Sequence, residues 1–276
     1  MDVRAIYDIA RQELIINIRN KWTIIFAVVF GVLVVSISYV GVLTEGFSGM
    51  QNFTRTSASL LNLVLYIVPL VALTMGTLSF TGDKGSTEIL FSQPLSRAEV
   101  LFGKWLGVFF SIALSTLIGF SLAGVIVVTA SGIDGLTRYV SFILLSLALS
   151  MVFLSIAVLA STISKRKSKA FGIALFLWFF FVLFYDLLAL GGSLMFRGQS
   201  ANVFLFVSLF GNPVDMVRVA TLILLDHATI FGAAGAAMLR FLGGQTASVT
   251  LLVSGLIAWV GGPLILSTRM LRRQDI

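Results

Sequence analysis

The sequence contains no cysteine, a single histidine, His227, and no phosphate-binding loop. Without cysteine the chain cannot form disulfides, thiolate metal sites or thiol redox centres. One histidine cannot form a two-histidine zinc motif, and no motif in the sequence supports a Ser-His dyad with it. A phosphate-binding loop needs G-x-x-x-x-G-K-[ST], whereas Gly103-Lys104 is followed by Trp105. We therefore expect no catalytic, metal or nucleotide site in this chain.

Charged residues are scarce as well, at 11% of the chain, whereas 58% is hydrophobic and the mean hydropathy is +1.03. This composition is typical of an integral membrane protein. Six apolar runs exceed the roughly 20 residues that a helix needs to cross a bilayer core. They cover 22–43, 60–80, 101–130, 139–163, 170–195 and 247–268.

The six runs predict an all-α fold, because lipid offers backbone groups no hydrogen bonds and the runs lack the alternation of barrel strands. We expect residues 1–276 to form one transmembrane domain with six spanning helices. In the sixth run, Gly261-Gly262-Pro263 predicts an unwound or bent point.

The net charge of +7 does not indicate nucleic-acid binding, because fourteen of the nineteen basic residues fall on one side of the predicted bundle. By the positive-inside rule that side is cytoplasmic. It carries both chain termini and the loops near 82–104 and 164–169.

Residues 1–21 precede the first run and alternate apolar and charged side chains, with Arg4 and Asp8 four residues apart. This pattern predicts an amphipathic elbow helix lying at the membrane surface. The alternative is an ordinary basic flank of the first span.

A highly polar loop, 82–100, separates the second and third runs. Ser96-Arg97-Ala98-Glu99 has the form of a capping box, with Ser96 as the helix cap, and Pro94 prevents the preceding helix from continuing. Ser86 could cap a short helix ending near Ser92. We predict a small helix at this side of the bundle that a cytosolic partner can bind.

The longest segment between runs, 196–246, forms an insert on the outer side. Its two apolar stretches, 203–210 and 216–225, are too short to cross a bilayer and suit re-entrant or interfacial helices. Asn212-Pro213 separates them and could cap the second helix. Asp215 and Arg218 have the spacing of a surface helix pair.

Asp186 is the clearest acidic residue within a run and lies in the outer part of the fifth. A charge inside the membrane is costly, which makes Asp186 a candidate for a substrate, proton or cation pathway. The alternative is a position near the outer headgroups, or a hydrogen bond to a neighbouring helix.

The stretches 85–90 (GSTEIL) and 94–97 (PLSR), followed by Gly103-Lys104, resemble the loop between the second and third helices of ABC-2-type transporter permeases. In that family the loop forms a coupling helix seated in a groove of a separate ATPase. Asp83-Lys84 is a shortened version of the family's acidic-Arg-acidic run. The resemblance implies ATPase contacts from Asp83, Lys84, Ser86, Thr87, Glu88, Ile89, Leu90, Pro94, Arg97, Glu99, Lys165, Arg166 and Lys167.

A narrower resemblance, carried by 178–188 and by 212–218 (NPVDMVR), is to permeases of the transporter that matures nitrous-oxide reductase. It implies a homodimer in the bacterial inner membrane with two ATPase subunits, which hold ATP and Mg, and a periplasmic partner handling copper or sulfur. Asn212, Pro213, Asp215 and Arg218 would contact that partner. Alternatives are an ABC-2 exporter of a lipid, polysaccharide or drug, and an ATP-independent channel or scaffold.

Overall fold

The computed structural model describes residues 2–45, 51–81, 96–131, 134–164, 166–225 and 243–273. Within those ranges every regular element is helical. The α-helices are α1 Val3–Ile18, α2 Lys21–Glu45, α3 Gln51–Phe80, α4 Arg97–Ser131, α5 Asp134–Ile163, α6 Lys167–Phe179, α7 Tyr185–Ser193, α8 Gln199–Ser208, α9 Pro213–Leu224 and α10 Gln245–Arg273. A π-helical turn, Phe180–Phe184, joins α6 to α7, and a 3-10 turn, Leu209–Gly211, follows α8.

Six helical segments are long and apolar enough to span a membrane, and they confirm the six predicted spans. They are Lys21–Val40, Ser59–Phe80, Arg97–Val125, Leu136–Ile163, Lys167–Ser193 and Gln245–Arg272. The chain is an all-α integral membrane protein. Successive spans alternate in direction, so α1 and the last turns of α10 lie at one end of the bundle, called the terminal end below. The opposite end, which carries α8 and α9, is called the distal end.

The bundle core is formed by α3, α4 and α5, and α5 is the most enclosed of the spanning helices. Phe120 of α4 is fully buried, and its ring meets those of Phe30, Tyr139 and Phe142 at centroid distances of 5.4, 6.1 and 5.5 Å. Such edge-to-face contacts add to the van der Waals packing, which is what holds helices together in lipid. The span formed by α6 and α7 is the most exposed.

The interruptions fall at other places than the sequence indicates. Helix α10 runs without a break through Gly261-Gly262-Pro263, so the unwinding considered there does not occur. The fifth span is instead interrupted by its π-helical turn, which contains neither glycine nor proline. Such turns often lie at functional sites, and this one immediately precedes Tyr185 and Asp186.

The insert between the fifth and sixth spans contains the two short helices expected there, α8 and α9. They meet at 106°, so they form a sharply bent pair. Asn212 accepts a hydrogen bond from Val214 N at 3.0 Å, and Pro213 occupies the first turn, which confirms the predicted cap of α9. Helix α9 packs against α5 and α10 and buries Val214, Met216 and Val217.

Candidate functional site

At the distal end, three charged side chains from two elements form one cluster. Arg218 of α9 donates to Asp186 of α7 at 3.0 Å and to Asp215, one turn earlier on α9, at 2.6 Å. The expected Asp215–Arg218 pair therefore forms. Asp186 lies 32 residues from Arg218 in the chain. The structure thus joins two features that the sequence presents separately, the acidic residue of the fifth span and the polar turn of the insert.

Asn212 connects this cluster to the π-helical turn. Its amide nitrogen donates to the carbonyl oxygen of Phe181 at 3.0 Å and to Asp215 Oδ2 at 2.9 Å, while its amide oxygen caps α9. The side chain is fully buried. A buried amide with both ends paired holds its neighbours in one geometry. Asn212 therefore holds the start of α9 against the π-helical turn of the fifth span.

Exposure separates the residues expected to contact a partner into two groups. Asn212 and Pro213 are buried, so their side chains are not available at the surface and their role is to position α9. The charged side chains are accessible to different degrees, with exposed fractions of 42% for Asp186, 30% for Arg218 and 15% for Asp215. Two carboxylates share one guanidinium, so the accessible cluster carries excess negative charge when both are ionised.

The bend between α8 and α9 is held by two aromatic donors. The Tyr185 hydroxyl donates to the carbonyl oxygen of Ser208 at 2.7 Å, and Trp259 Nε1 of α10 donates to that of Phe210 at 3.0 Å. A side chain at Gly211 would collide with the Tyr185 hydroxyl. Tyr185 directly precedes Asp186, so the bend and the charged cluster are anchored to adjacent residues.

At the terminal end, the helix expected over 1–21 forms as α1 and packs tightly on α4. A Cβ at Gly107 would lie 2.6 Å from the carbonyl oxygen of Ala10, and one at Gly103 would lie 2.7 Å from Ile9 Cβ. Glycines four residues apart let two helix backbones approach this closely. The other face of α1 exposes large apolar side chains, including Val3 and Tyr7.

Of the polar loop 82–100, only the part from Ser96 onwards lies within the described residues. The capping box forms there. Ser96 N donates to Glu99 Oε2 at 2.9 Å, and Glu99 N donates to Ser96 Oγ at 3.3 Å. Glu99 is only 7% exposed, and its other oxygen accepts from Asp2 N at 2.7 Å. Glu99 therefore attaches the start of α1 to the start of α4.

Glu13 of α1 provides a second attachment, to both sides of the same loop. Its carboxylate accepts from the Ser79 hydroxyl, just before the loop, and from Asn17 Nδ2 at 3.0 Å. Lys104 Nζ lies 3.9 Å from Glu13 Oε2 and donates to the Ser79 carbonyl oxygen at 3.0 Å. These contacts brace the end of α3 and the start of α4 against α1.

The remaining residues expected to contact an ATPase divide between described and undescribed parts of the chain. Arg97 Nη1 donates to the carbonyl oxygen of Leu271 at 2.5 Å, which ties α4 to the end of α10. Arg166 is the N-cap residue of α6, and Lys167 begins that helix. Outside the described residues lie Asp83, Lys84, Ser86, Thr87, Glu88, Ile89, Leu90, Pro94 and Lys165.

Several residues of these sites were not predicted from the sequence to have a role there. Glu13 and Ser79 are 66 positions apart, so no local pattern connects them. The four-residue spacing of Gly103 and Gly107 was an available signal for a close helix contact. In the described part of the chain, no three histidine, aspartate or glutamate side chains are grouped as metal ligands.

The described helices form a six-span membrane bundle with a packed N-terminal helix and a bent helix pair. The sequence profile of the ABC-2 family of transporter proteins matches residues 7–276. The chain therefore belongs to the ABC-2 transporter permeases, a family of generally non-catalytic membrane subunits. Two relatives, from Pseudomonas aeruginosa and Stutzerimonas stutzeri, are each named "Probable ABC transporter permease protein NosY". Each is 33% identical over 277 aligned residues, which cover 98% of this chain and 99% and 98% of the respective relative.

Proposed function

We propose that this permease couples ATP hydrolysis on separate ATPase chains to movement of α8 and α9 at the distal end. A homodimer of the chain pairs with two ATPase subunits, and these subunits bind ATP and Mg. The chain lies in the bacterial inner membrane, and both termini and the 82–100 loop are on its cytoplasmic side. The basic residues concentrated at the terminal end support this orientation.

The ATPase contact is assigned to the loop and to the start of α6. Glu88, Ile89 and Leu90 form the centre of the docking helix, with Asp83, Lys84, Ser86, Thr87, Pro94, Lys165 and Arg166 around it. The observation that supports this assignment is the bracing of both loop ends by α1, through Glu13 and Glu99. A loop fixed at both ends transmits a push to the helices instead of absorbing it. Arg97 passes the same movement to α10 through Leu271.

The distal cluster receives that movement. Asp186 belongs to a spanning helix and Arg218 to α9, so displacing one helix against the other changes the 3.0 Å contact between them. Movement would expose or cover the charged group of Asp186, Asp215 and Arg218. We propose that this group contacts a periplasmic protein and that the contacted surface of that protein carries complementary charge.

The process served is the supply of copper or sulfur during nitrous-oxide reductase maturation. This assignment is supported by the near full-length similarity to the two relatives named NosY. The permease itself contributes movement. Copper or sulfur is handled by the periplasmic partner.

Co-purification from the native membrane tests this function. We would compare the tagged full-length chain with a variant whose residues 86–91 are replaced by Gly and Ser, leaving the Ser96–Glu99 capping box intact. The control is the same replacement at 46–50, between α2 and α3. Loss of an ATPase from the 86–91 variant alone is the expected result.

The proteins recovered also separate the alternatives. A periplasmic copper- or sulfur-handling protein recovered with the ATPase would support the maturation role. An ATPase without that protein would favour an exporter of a lipid, polysaccharide or drug. If the intact chain brings down no ATPase, coupling is excluded and an ATP-independent channel or scaffold becomes the better explanation.

A further inference from the structure

A cavity of about 860 Å³ opens at the terminal end, between α1 and the ends of α3, α4 and α6. Its apolar lining includes Ile16, Met75 and Leu78. Its charged lining includes Arg4, Asp8 and Lys167. This cavity lies at the opposite end of the bundle from the distal cluster. Glu13, Ser79 and Lys104, which brace the 82–100 loop, form part of its wall.

Some of the charged side chains around the cavity are paired within the protein, and others are not. The Asp2 carboxylate accepts from Arg4 N at 2.9 Å, and Glu13 is paired with Ser79 and Asn17. Lys104, which also lines the cavity, is paired with Glu13 and donates to the Ser79 carbonyl oxygen. By contrast, the side chains of Arg4, Asp8 and Lys167 form no ion pair within the described residues, and all three are exposed. Two cationic groups and one carboxylate therefore remain for a ligand.

The position of the cavity along the membrane normal indicates what kind of ligand can reach it. Lys167 is the first residue of its spanning segment, and the segment that contains Leu78 ends two residues later, at Phe80. Trp22, the second residue of the first span, also lines the cavity and is 64% exposed. Tryptophan is enriched at the level of lipid headgroups. The cavity therefore lies where headgroups are, with its polar part towards water and its apolar part towards the acyl chains.

We propose that this cavity binds a zwitterionic phospholipid whose headgroup carries a primary ammonium, the chemistry of phosphatidylethanolamine. Arg4 and Lys167 contact the phosphate, because a guanidinium and an ammonium are the usual phosphate partners of proteins. Asp8 accepts hydrogen bonds from the lipid ammonium. Ile16 and Trp22 contact the glycerol and the first acyl carbons. The cavity shares part of its wall with the contacts that brace the 82–100 loop, and Lys167 is also one of the residues expected to contact the ATPase. Lipid binding is measured on the permease without its ATPase, so failure of this site and failure of the proposed function are distinguishable.

Native mass spectrometry of the full-length, delipidated chain in detergent tests the proposal by titration with defined lipids. Phosphatidylethanolamine is compared with phosphatidylcholine, whose methylated nitrogen donates no hydrogen bond, and with anionic phosphatidylglycerol. Arg4→Gln and Lys167→Gln should each weaken phosphatidylethanolamine binding about fivefold, the effect of one basic residue near a lipid surface. Asp8→Asn should remove the preference for phosphatidylethanolamine over phosphatidylcholine without weakening phosphatidylglycerol binding, because phosphatidylglycerol has no ammonium that donates to Asp8.

Matched controls lie on the same two helices. Arg11 of α1 and Lys169 of α6 are exposed and do not line the cavity, so Arg11→Gln and Lys169→Gln should bind lipid like the wild type. Equal effects in controls and cavity variants would overturn the site, since they indicate a general surface charge effect. Equal binding of all three lipids by the wild type would also overturn it. Saturation by soluble phosphoethanolamine or inorganic phosphate, with no added affinity from the acyl chains, would replace the lipid with a soluble phosphate ligand.

Discussion

Replacing Asn212 with alanine tests whether α9 is held to the break in the fifth span as the structure indicates. Loss of an Asn cap costs about 1 kcal/mol of stability. The amide also donates to Phe181 O and Asp215 Oδ2, and each such hydrogen bond contributes about 0.5–1.5 kcal/mol. Together these contributions predict that Asn212→Ala lowers the free energy of unfolding by about 2–4 kcal/mol.

Two further variants separate the helix-capping contribution of Asn212 from the contribution of its contacts to Phe181 and Asp215. Asn20 caps α2 by accepting from Trp22 N at 3.0 Å, but no bridging contact of its amide to another helix is found in the described residues. Asn20→Ala should therefore cost only about 1 kcal/mol. Asn212→Ser keeps a cap oxygen and removes the amide donor, so it should recover about 1 kcal/mol relative to Asn212→Ala.

The assay is equilibrium unfolding in mixed micelles with increasing sodium dodecyl sulfate, followed by circular dichroism. All four chains are compared at the same protein and detergent concentrations. The bridging role of Asn212 would be refuted if Asn212→Ala were no more destabilising than Asn20→Ala. In that case the contacts to Phe181 and Asp215 would contribute nothing beyond the cap.

Two further predictions concern the close packing of α1 and the charged cluster. Gly107→Ala should destabilise the chain by about 1–3 kcal/mol and increase protease cleavage of α1, because its Cβ meets the backbone of Ala10. Gly172→Ala, where a Cβ meets no atom within 4 Å, is the control and should be near neutral. Arg218→Gln should cost about 1–2 kcal/mol by leaving two carboxylates side by side, and adding Asp215→Asn should restore part of that loss. Equal losses in the single and double variants would contradict the shared-guanidinium geometry.

The spans were predictable because run length and hydropathy are local properties of the chain, and lipid leaves helices as the one way to satisfy the backbone. The capping box at Ser96 and the Asn212 cap were predictable for a similar reason. Each depends on residue types a few positions apart. The family also followed from a short motif, because the 85–97 stretch combines several residue types at fixed spacing.

The charged cluster could not be predicted as a unit, because pairing Asp186 with Arg218 requires α9 to fold back onto the fifth span. Nor could the π-helical turn, since the run from Phe180 to Phe184 contains no residue that disfavours an ordinary helix. The stabilising contact to Phe181 comes from Asn212, 31 residues later. Glu99 illustrates the same limit, since its position in a loop suggested a surface role while α1 covers it.

The central claim is that ATP hydrolysis moves α9 relative to the fifth span, and a spin-label distance measures this directly. Because the chain has no cysteine, cysteines introduced at Leu190 of α7 and Val219 of α9 would be the chain's labelling sites. A control pair at Leu122 and Leu144 reports on α4 and α5, where both side chains are exposed. The labelled chain is diluted with unlabelled chain and assembled with its ATPase. The spin-label distances are then measured without nucleotide and after the complex is trapped during hydrolysis. We predict that the Leu190–Val219 distance distribution shifts while the control pair does not. An unchanged Leu190–Val219 distribution in a complex that turns over ATP would contradict the coupling.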